Sequence, residues 1–139
     1  MKKSILILIG IIFTLALTAQ THTYTTVYDQ EMTSPGTLTA KQYLGGMRVT
    51  VRIVSSGNYR ITFNIPGGPN DPVTFNVSYT TEYYDNGTLW YAYTDNSVYK
   101  GNVQVASNTK LSTMATNGRS AIFIVGMTNG FTHLYTLDK

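Results

Sequence analysis

The stretch VTFNVSYTTEY alternates without a break: Val73, Phe75, Val77, Tyr79, Thr81 and Tyr83 fall on one side, Thr74, Asn76, Ser78, Thr80 and Glu82 on the other. Successive side chains of an extended chain point to opposite faces, so a period of two makes a strand with one dry and one wet face. A helix, with 3.6 residues per turn, would scatter the same residues around its circumference. The pattern recurs upstream. MRVTVRIV sets Met47, Val49, Val51 and Ile53 against Arg48, Thr50 and Arg52, and YRITFNI sets Tyr59, Ile61, Phe63 and Ile65 inward. From Thr21 onward the chain is rich in Thr, Tyr, Val and Ile, residues suited to a half-buried pleated surface. The expected fold is all-β: an antiparallel meander of about eight to nine strands forming a small barrel or sandwich, because consecutive strands usually pair.

Face matching across turns sets the register, since slipping a hairpin by one residue exchanges its faces. A two-residue Gly45-Gly46 turn places Leu38, Ala40 and Leu44 beside Ile53, Val51 and Met47. A three-residue SSG loop with Gly57 in the left-handed region sets Ile53 opposite Tyr59. In YYDNGTLWYAY, a three-residue Asp85-Asn86-Gly87 loop buries Leu89, Tyr91 and Tyr93 with Tyr79, Thr81 and Tyr83, and brings Trp90 out opposite Glu82 with Tyr84 diagonal to it. That loop is expected in preference to a two-residue Asn86-Gly87 turn because it buries more rings. Gly101 is read as a bulge in a strand from Ser97 to Val105, and a last hairpin turns at Asn129-Gly130.

The alternation breaks only at SNTKLSTMATNG. Leu111, Met114 and Ala115 fall at spacings of three and four, so a short helix near residues 108–116 is expected, capped by Ser107 or Asn108 and ended by Gly118. Two turns are marginal alone, so this helix should lie on the sheet or plug one end. SAIFIVGM is apolar on both faces, which suggests a strand covered on both sides, by that helix on one of them.

The N-terminus MKKSILILIGIIFTLALTAQ combines Lys2 and Lys3, an apolar run from Ile5 to Leu17, and the small Ala19 before a polar segment, the pattern of a secretory signal peptide. The run is shorter than the ~18 or more apolar residues of a spanning helix. The domains expected are therefore a signal peptide, 1–19, and one all-β domain, 20–139, that is secreted or periplasmic with no membrane span after processing. With no cysteine in the chain, neither a disulfide nor a lipid anchor on cysteine is available. The formal charge of +3 includes Lys2 and Lys3, so the processed chain is close to neutral. Nucleic acid is not expected as a partner: Arg48, Arg52 and Arg60 form a small basic stripe, but the exposed rings lie on another hairpin and secretion removes that partner.

Chemistry-bearing groups are sparse. The chain has no cysteine and two histidines, His22 near the start of the processed chain and His133 in the last strand, neither with a sequence-local partner at metal-ligand or nucleophile-base spacing. Among the acids, Asp71, Asp85 and Asp95 sit in expected loops, Asp29 and Glu31 share one strand end, and Glu82 alone lies at mid-strand. No catalytic residue, metal site or cofactor is expected, and the chain reads as a non-catalytic binding module for a sugar, an apolar ligand or a surface. The ligand-binding residues are Trp90, Tyr84 and Glu82, an exposed stacking plane beside a hydrogen-bond acceptor. The partner is a small molecule, a glycan or a protein surface. The alternative is a structural protein that self-associates through sheet edges, with THTYTTVYDQ as the donated strand; a secreted enzyme ranks third. Intact mass of the exported protein should show cleavage at or within a residue or two of Ala19; a product retaining Ile5 to Leu17 would be membrane-anchored instead.

Overall fold

The alternating segments are strands. The computed structural model describes residues 20–34, 36–67, 72–95, 102–117, 119–126 and 130–139; the signal segment, Gly101, Gly118 and Asn129 lie outside them. The strands are β1 (Thr21–Tyr24), β2 (Thr26–Ser34), β3 (Thr37–Leu38), β4 (Gln42–Tyr43), β5 (Arg48–Ser55), β6 (Asn58–Asn64), β7 (Val73–Asp85), β8 (Thr88–Asp95), β9 (Asn102–Ala106), β10 (Ser120–Gly126) and β11 (Thr132–Asp138). A 3-10 turn, Ser107–Thr109, and one helix, α1 (Leu111–Asn117), separate β9 from β10.

The fold is all-β, a single antiparallel sheet of eleven strands in the order β1-β5-β6-β7-β8-β9-β10-β11-β2-β3, with β4 paired to β2. Six pairings of consecutive strands, from β5 to β11, make the meander, and β2 adds to its far edge. The sheet is one layer rolled on itself rather than two stacked layers, and its hydrogen bonds do not close it into a ring. Its ends nevertheless meet on one stretch of chain, because β1 pairs with β5 and β2, one residue later, pairs with β11. At the break between them, Thr25 N–H donates to the Asp138 carbonyl at 3.1 Å. Rolling brings β6 against β11, where the Phe63 and Tyr135 rings lie 4.9 Å apart.

The inward face is the dry face of the sequence pattern. Val49, Val51, Ile61, Phe63, Phe75, Val77, Val103, Val105, Phe123, Val125 and Leu137 are all buried in one cluster. The helix closes this cluster at one end: Leu111 and Met114 are fully buried in it, α1 lies against β1 and β5, and the Tyr24 hydroxyl donates to the Met114 carbonyl at 3.5 Å. Expected as a lid or plug, the helix is a plug. Its start differs from the expected cap at Ser107 or Asn108. The Thr109 hydroxyl bonds back to the Ala106 carbonyl, holding 107–109 as a 3-10 turn, and the α-helical ladder begins with the Met114 N–H to the Lys110 carbonyl at 2.9 Å. Nor does the helix cover the second face of β10. Ala121, Phe123 and Val125 point inward and are buried, whereas Ile122 and Ile124 are half-buried on the outer face beside Thr136 and Leu134 of β11.

Three turns test the face-matching argument. At SSG, Ile53 lies opposite Tyr59 and Gly57 takes φ 73°, as expected, but the loop has two residues, not three: Ser55 pairs with Asn58, and a register shift between Ile53 and Ser55 keeps the faces matched. Gly45-Gly46 does not form a β3–β5 hairpin. Only Gly46 takes a positive φ, 81°, and Met47 N–H bonds the Leu44 carbonyl at 3.3 Å, the geometry of a type II turn, whose twist splays strands rather than pairing them. The chain before it lies along β2 instead, with Leu38 opposite Met32 and Tyr43 opposite Tyr28, and Leu38 and Ala40 are exposed.

At DNG the loop has two residues, not three: Asp85 pairs with Thr88, and Asn86 and Gly87 take φ of 47° and 76°. Positive φ at both positions is the type I′ turn, whose twist matches that of the flanking strands, and asparagine tolerates the left-handed region well. Core order survives because a bulge between Tyr79 and Thr81 compensates for the shortened loop. The Thr80 hydroxyl secures it by donating to the Ala92 carbonyl at 2.9 Å.

Leu111→Ala should lower the unfolding free energy by about 2–5 kcal/mol in urea titration, as for a buried leucine whose site cannot collapse. Tyr84→Ala, at a side chain 77% exposed, should shift it by no more than about 0.5 kcal/mol. A small loss at Leu111 would mean that the helix contributes little to the core.

Candidate functional site

The bulge in β7 decides what the tip of the β7–β8 hairpin presents. Below it, Tyr79 faces Tyr93 on the inner side. Beyond it, Glu82 lies opposite Tyr91 and Tyr84 opposite Leu89 on one face, while Tyr83 lies opposite Trp90 on the other. Of the three residues expected to form a site, Glu82 and Tyr84 therefore share a face, and Trp90 is directed away from both. The register correction is specific: Tyr91 and Tyr93 are buried, at 8% and 5% exposure, as expected, but Trp90, though less buried than they are, is half-buried rather than an exposed plane, and Tyr83 leaves the inner side to join it. There its hydroxyl donates to Gln104 Oε1.

The inner side near the tip is a graded tyrosine cluster. Tyr59 and Tyr93 meet edge-to-face with centroids 5.9 Å apart, and Tyr93 meets Tyr79 likewise at 5.8 Å. Such tilted contacts match the positive edge of one ring to the negative face of the next. Burial falls off along the series, with Tyr79 46% exposed, so the tyrosines fill the interior at their deep end and form a rim at the other. Tyr59 is pushed above its ordinary pKa by burial, offset in part by a hydrogen bond with Ser112 of α1.

Lys110, at the junction of the 3-10 turn and the helix, reaches over this rim with Nζ 4.8 Å from the Tyr91 centroid. Its pKa is raised first by a hydrogen bond with Tyr91, and Glu82 and Tyr79 add to the effect. The rim thus offers exposed ring surface, one cation and one anion. Sequence reasoning missed Lys110 because nothing in SNTKLST links it to a hairpin some twenty residues earlier; only the helix plug brings it there.

A second polar group lies on the inner side where β2 meets β11. His133 Nδ1 is 3.1 and 3.2 Å from the two Asp29 carboxylate oxygens, and the imidazole stacks on Tyr135 at 5.8 Å. Glu31 faces His133 across the ladder. Asp29 and His133 are separated by 104 residues, so no local spacing could pair them. The Tyr135 hydroxyl, buried and close to the Asp29 charge, is held neutral well above its ordinary pKa. The pairing compensates a carboxylate turned toward the interior. Among the described residues, no three of His, Asp and Glu converge as a metal-binding group.

Comparison with known proteins finds no family model, curated protein or solved structure that matches this chain.

The buried phenols predict how the fold responds to base. Burial pushes Tyr24 from 10.0 up to about 12, and raises Tyr93 and Tyr135 as well, with neighbouring tyrosines adding to the effect at Tyr93 and Asp29 at Tyr135. A phenol raised in the folded state contributes stability that is complete below the unfolded value and is lost as pH climbs through the folded one. Stability should therefore fall from about pH 10 toward pH 12, and ultraviolet titration should show a set of phenols that ionise only as far-ultraviolet circular dichroism is lost. Ionisation of every tyrosine with the fold intact would contradict the burial described.

Proposed function

We propose that this protein is a secreted or periplasmic, non-catalytic binding module whose contact surface is the tyrosine rim at the β7–β8 tip. One observation carries the reading: Tyr79 and Tyr84, 46% and 77% exposed, flank Glu82 on one hairpin face, with Lys110 over the ring of Tyr91, which lies opposite Glu82. Exposed rings give flat apolar planes, while a carboxylate and an ammonium give an acceptor and a donor, a combination suited to sugars, whose ring faces are apolar and whose edges carry hydroxyls. The interior supports a surface site over an enclosed one, since Tyr24, Phe75, Phe123, Leu111 and Met114 fill it. The signal-like N-terminus supports export. Trp90 serves the other face, packing beside Tyr83 and opposite Ala106 on β9.

Retention on a glycan array, read beside thermal melting, tests the reading. Tyr84→Ala and Glu82→Gln should each abolish or strongly reduce retention with melting temperature nearly unchanged. Trp90→Ala should do the reverse, keeping retention while destabilising the fold by less than the ~3–5 kcal/mol of a fully buried ring. Loss of retention in Trp90→Ala with full stability would move the contact surface to the outer face, and a wild-type protein retained by no glycan would remove the proposal.

A further inference from the structure

The outer face of β1, β5, β6 and the first half of β7 carries Thr21, Thr23, Arg48, Thr50, Arg52, Asn58, Arg60, Thr62, Asn64, Thr74, Asn76 and Ser78, the wet positions of the alternation. This face holds three arginines and, among the described residues, no acid. The described acids lie elsewhere: Asp29 and Glu31 on the inner side of β2, Asp95 buried, Glu82 and Asp85 at the hairpin tip, Asp138 on β11. Near neutrality of the expected processed chain thus conceals a separation of charge.

Arg52 lies directly opposite Arg60. Like charges facing across an antiparallel pair are destabilising, and neither Arg48 nor Arg52 has a carboxylate partner among the described residues. Arg60 is oriented by a hydrogen bond from Nε to Asn76 Oδ1 at 3.0 Å, which does not use its terminal nitrogens. Two depressions flank the facing pair. One of about 510 Å³ is lined by Thr23, Gly46, Arg48, Thr50, Asn64 and Pro66. The other, of about 240 Å³, includes Arg60 with Asn58, Asn76 and Ser78, beside the exposed Val54 and the buried Tyr59. Arg48 and Arg52 are four residues apart on one strand, about 13 Å at the ordinary rise.

We propose that this face is a second binding surface, separate from the tyrosine rim, for a linear polyanionic carbohydrate. Charge complementarity requires an anion, and spaced arginines in line with two depressions suit a chain with repeated charges better than a single ion. The hydroxyls and amides in both depressions match sugar hydroxyls, and the few apolar groups among them, Pro66 in one and Val54 in the other, suit the apolar faces of sugar rings. Nucleic acid fits less well, because the face presents no exposed ring on which bases could stack. An anion bridging Arg52 and Arg60 would also relieve their mutual repulsion.

The test uses the purified protein with immobilised polygalacturonate and heparin as carboxylated and sulfated probes, and dextran, single-stranded DNA and phosphatidylglycerol vesicles as comparators. Both acidic glycans should bind in a salt-sensitive manner and dextran should not. Arg48→Gln/Arg52→Gln/Arg60→Gln should weaken glycan binding by about tenfold or more, as expected for three modest charge contacts. Lys41→Gln/Arg119→Gln/Lys139→Gln, with the same change in net charge, should bind nearly as wild type, and so should Tyr84→Ala, which separates this surface from the rim. Arg52→Gln alone should raise the melting temperature of the free protein, and it carries the test should the triple variant fail to fold. Equal loss in the two triple variants, failure of the wild type to bind either acidic glycan, or equal or tighter binding to DNA or vesicles would overturn the proposal.

Discussion

Residues 21–34 hold the two ends of the sheet together, and the rest of the molecule depends on that seam. A meander of six antiparallel pairings is an open curved surface whose dry face would meet water along both edges. By lying on β5 with its first part and on β11 with its second, one stretch of chain turns the surface into an enclosure. A shared strand does this without a disulfide, which the chain cannot make. The same stretch supplies Tyr24 and Val27 to the core, so the seam is packed as well as hydrogen-bonded. The segment that reads as a candidate for donation to another molecule is taken up within its own fold.

Enclosure creates two ends, and they are treated differently. At one, α1 inserts Leu111 and Met114 and brings Lys110 to the tyrosines of β6, β7 and β8. A helix of seven residues has little stability of its own, and its burial supplies what propensity does not. Where β2 meets β11, the inward positions of the alternation carry Asp29, Glu31 and His133 rather than apolar groups, and Asp29 is accommodated by pairing with the imidazole.

Charge is sorted by strand face rather than by segment. Arginines occupy outward positions of β5 and β6, while most acids sit inward or at a tip. Two surfaces of different chemistry follow from one alternation: a ring-rich rim with one charge of each sign, and a basic face of hydroxyls and amides without an exposed ring. Their separation makes the two binding proposals independent.

Face membership along the strands, except in β7 beyond its bulge, was determined by the sequence alone, because a period of two depends only on local backbone geometry. It places Val49 and Val51 inward, Arg48, Arg52 and Arg60 outward, and Leu111 and Met114 on one side of a short helix. What lies opposite what was decided by the tertiary structure wherever a turn had more than one solution. Asn86 accepts a positive φ, so the hairpin takes the tighter turn, and a bulge at Thr80 repairs the register with an extra residue that leaves no mark in the pattern. Gly45-Gly46 reads as a hairpin until β2 proves the better partner for the strand before it. The companionship of Lys110 with Tyr91, and of Asp29 with His133, was likewise set by closure, since it joins segments whose separation along the chain no local spacing encodes.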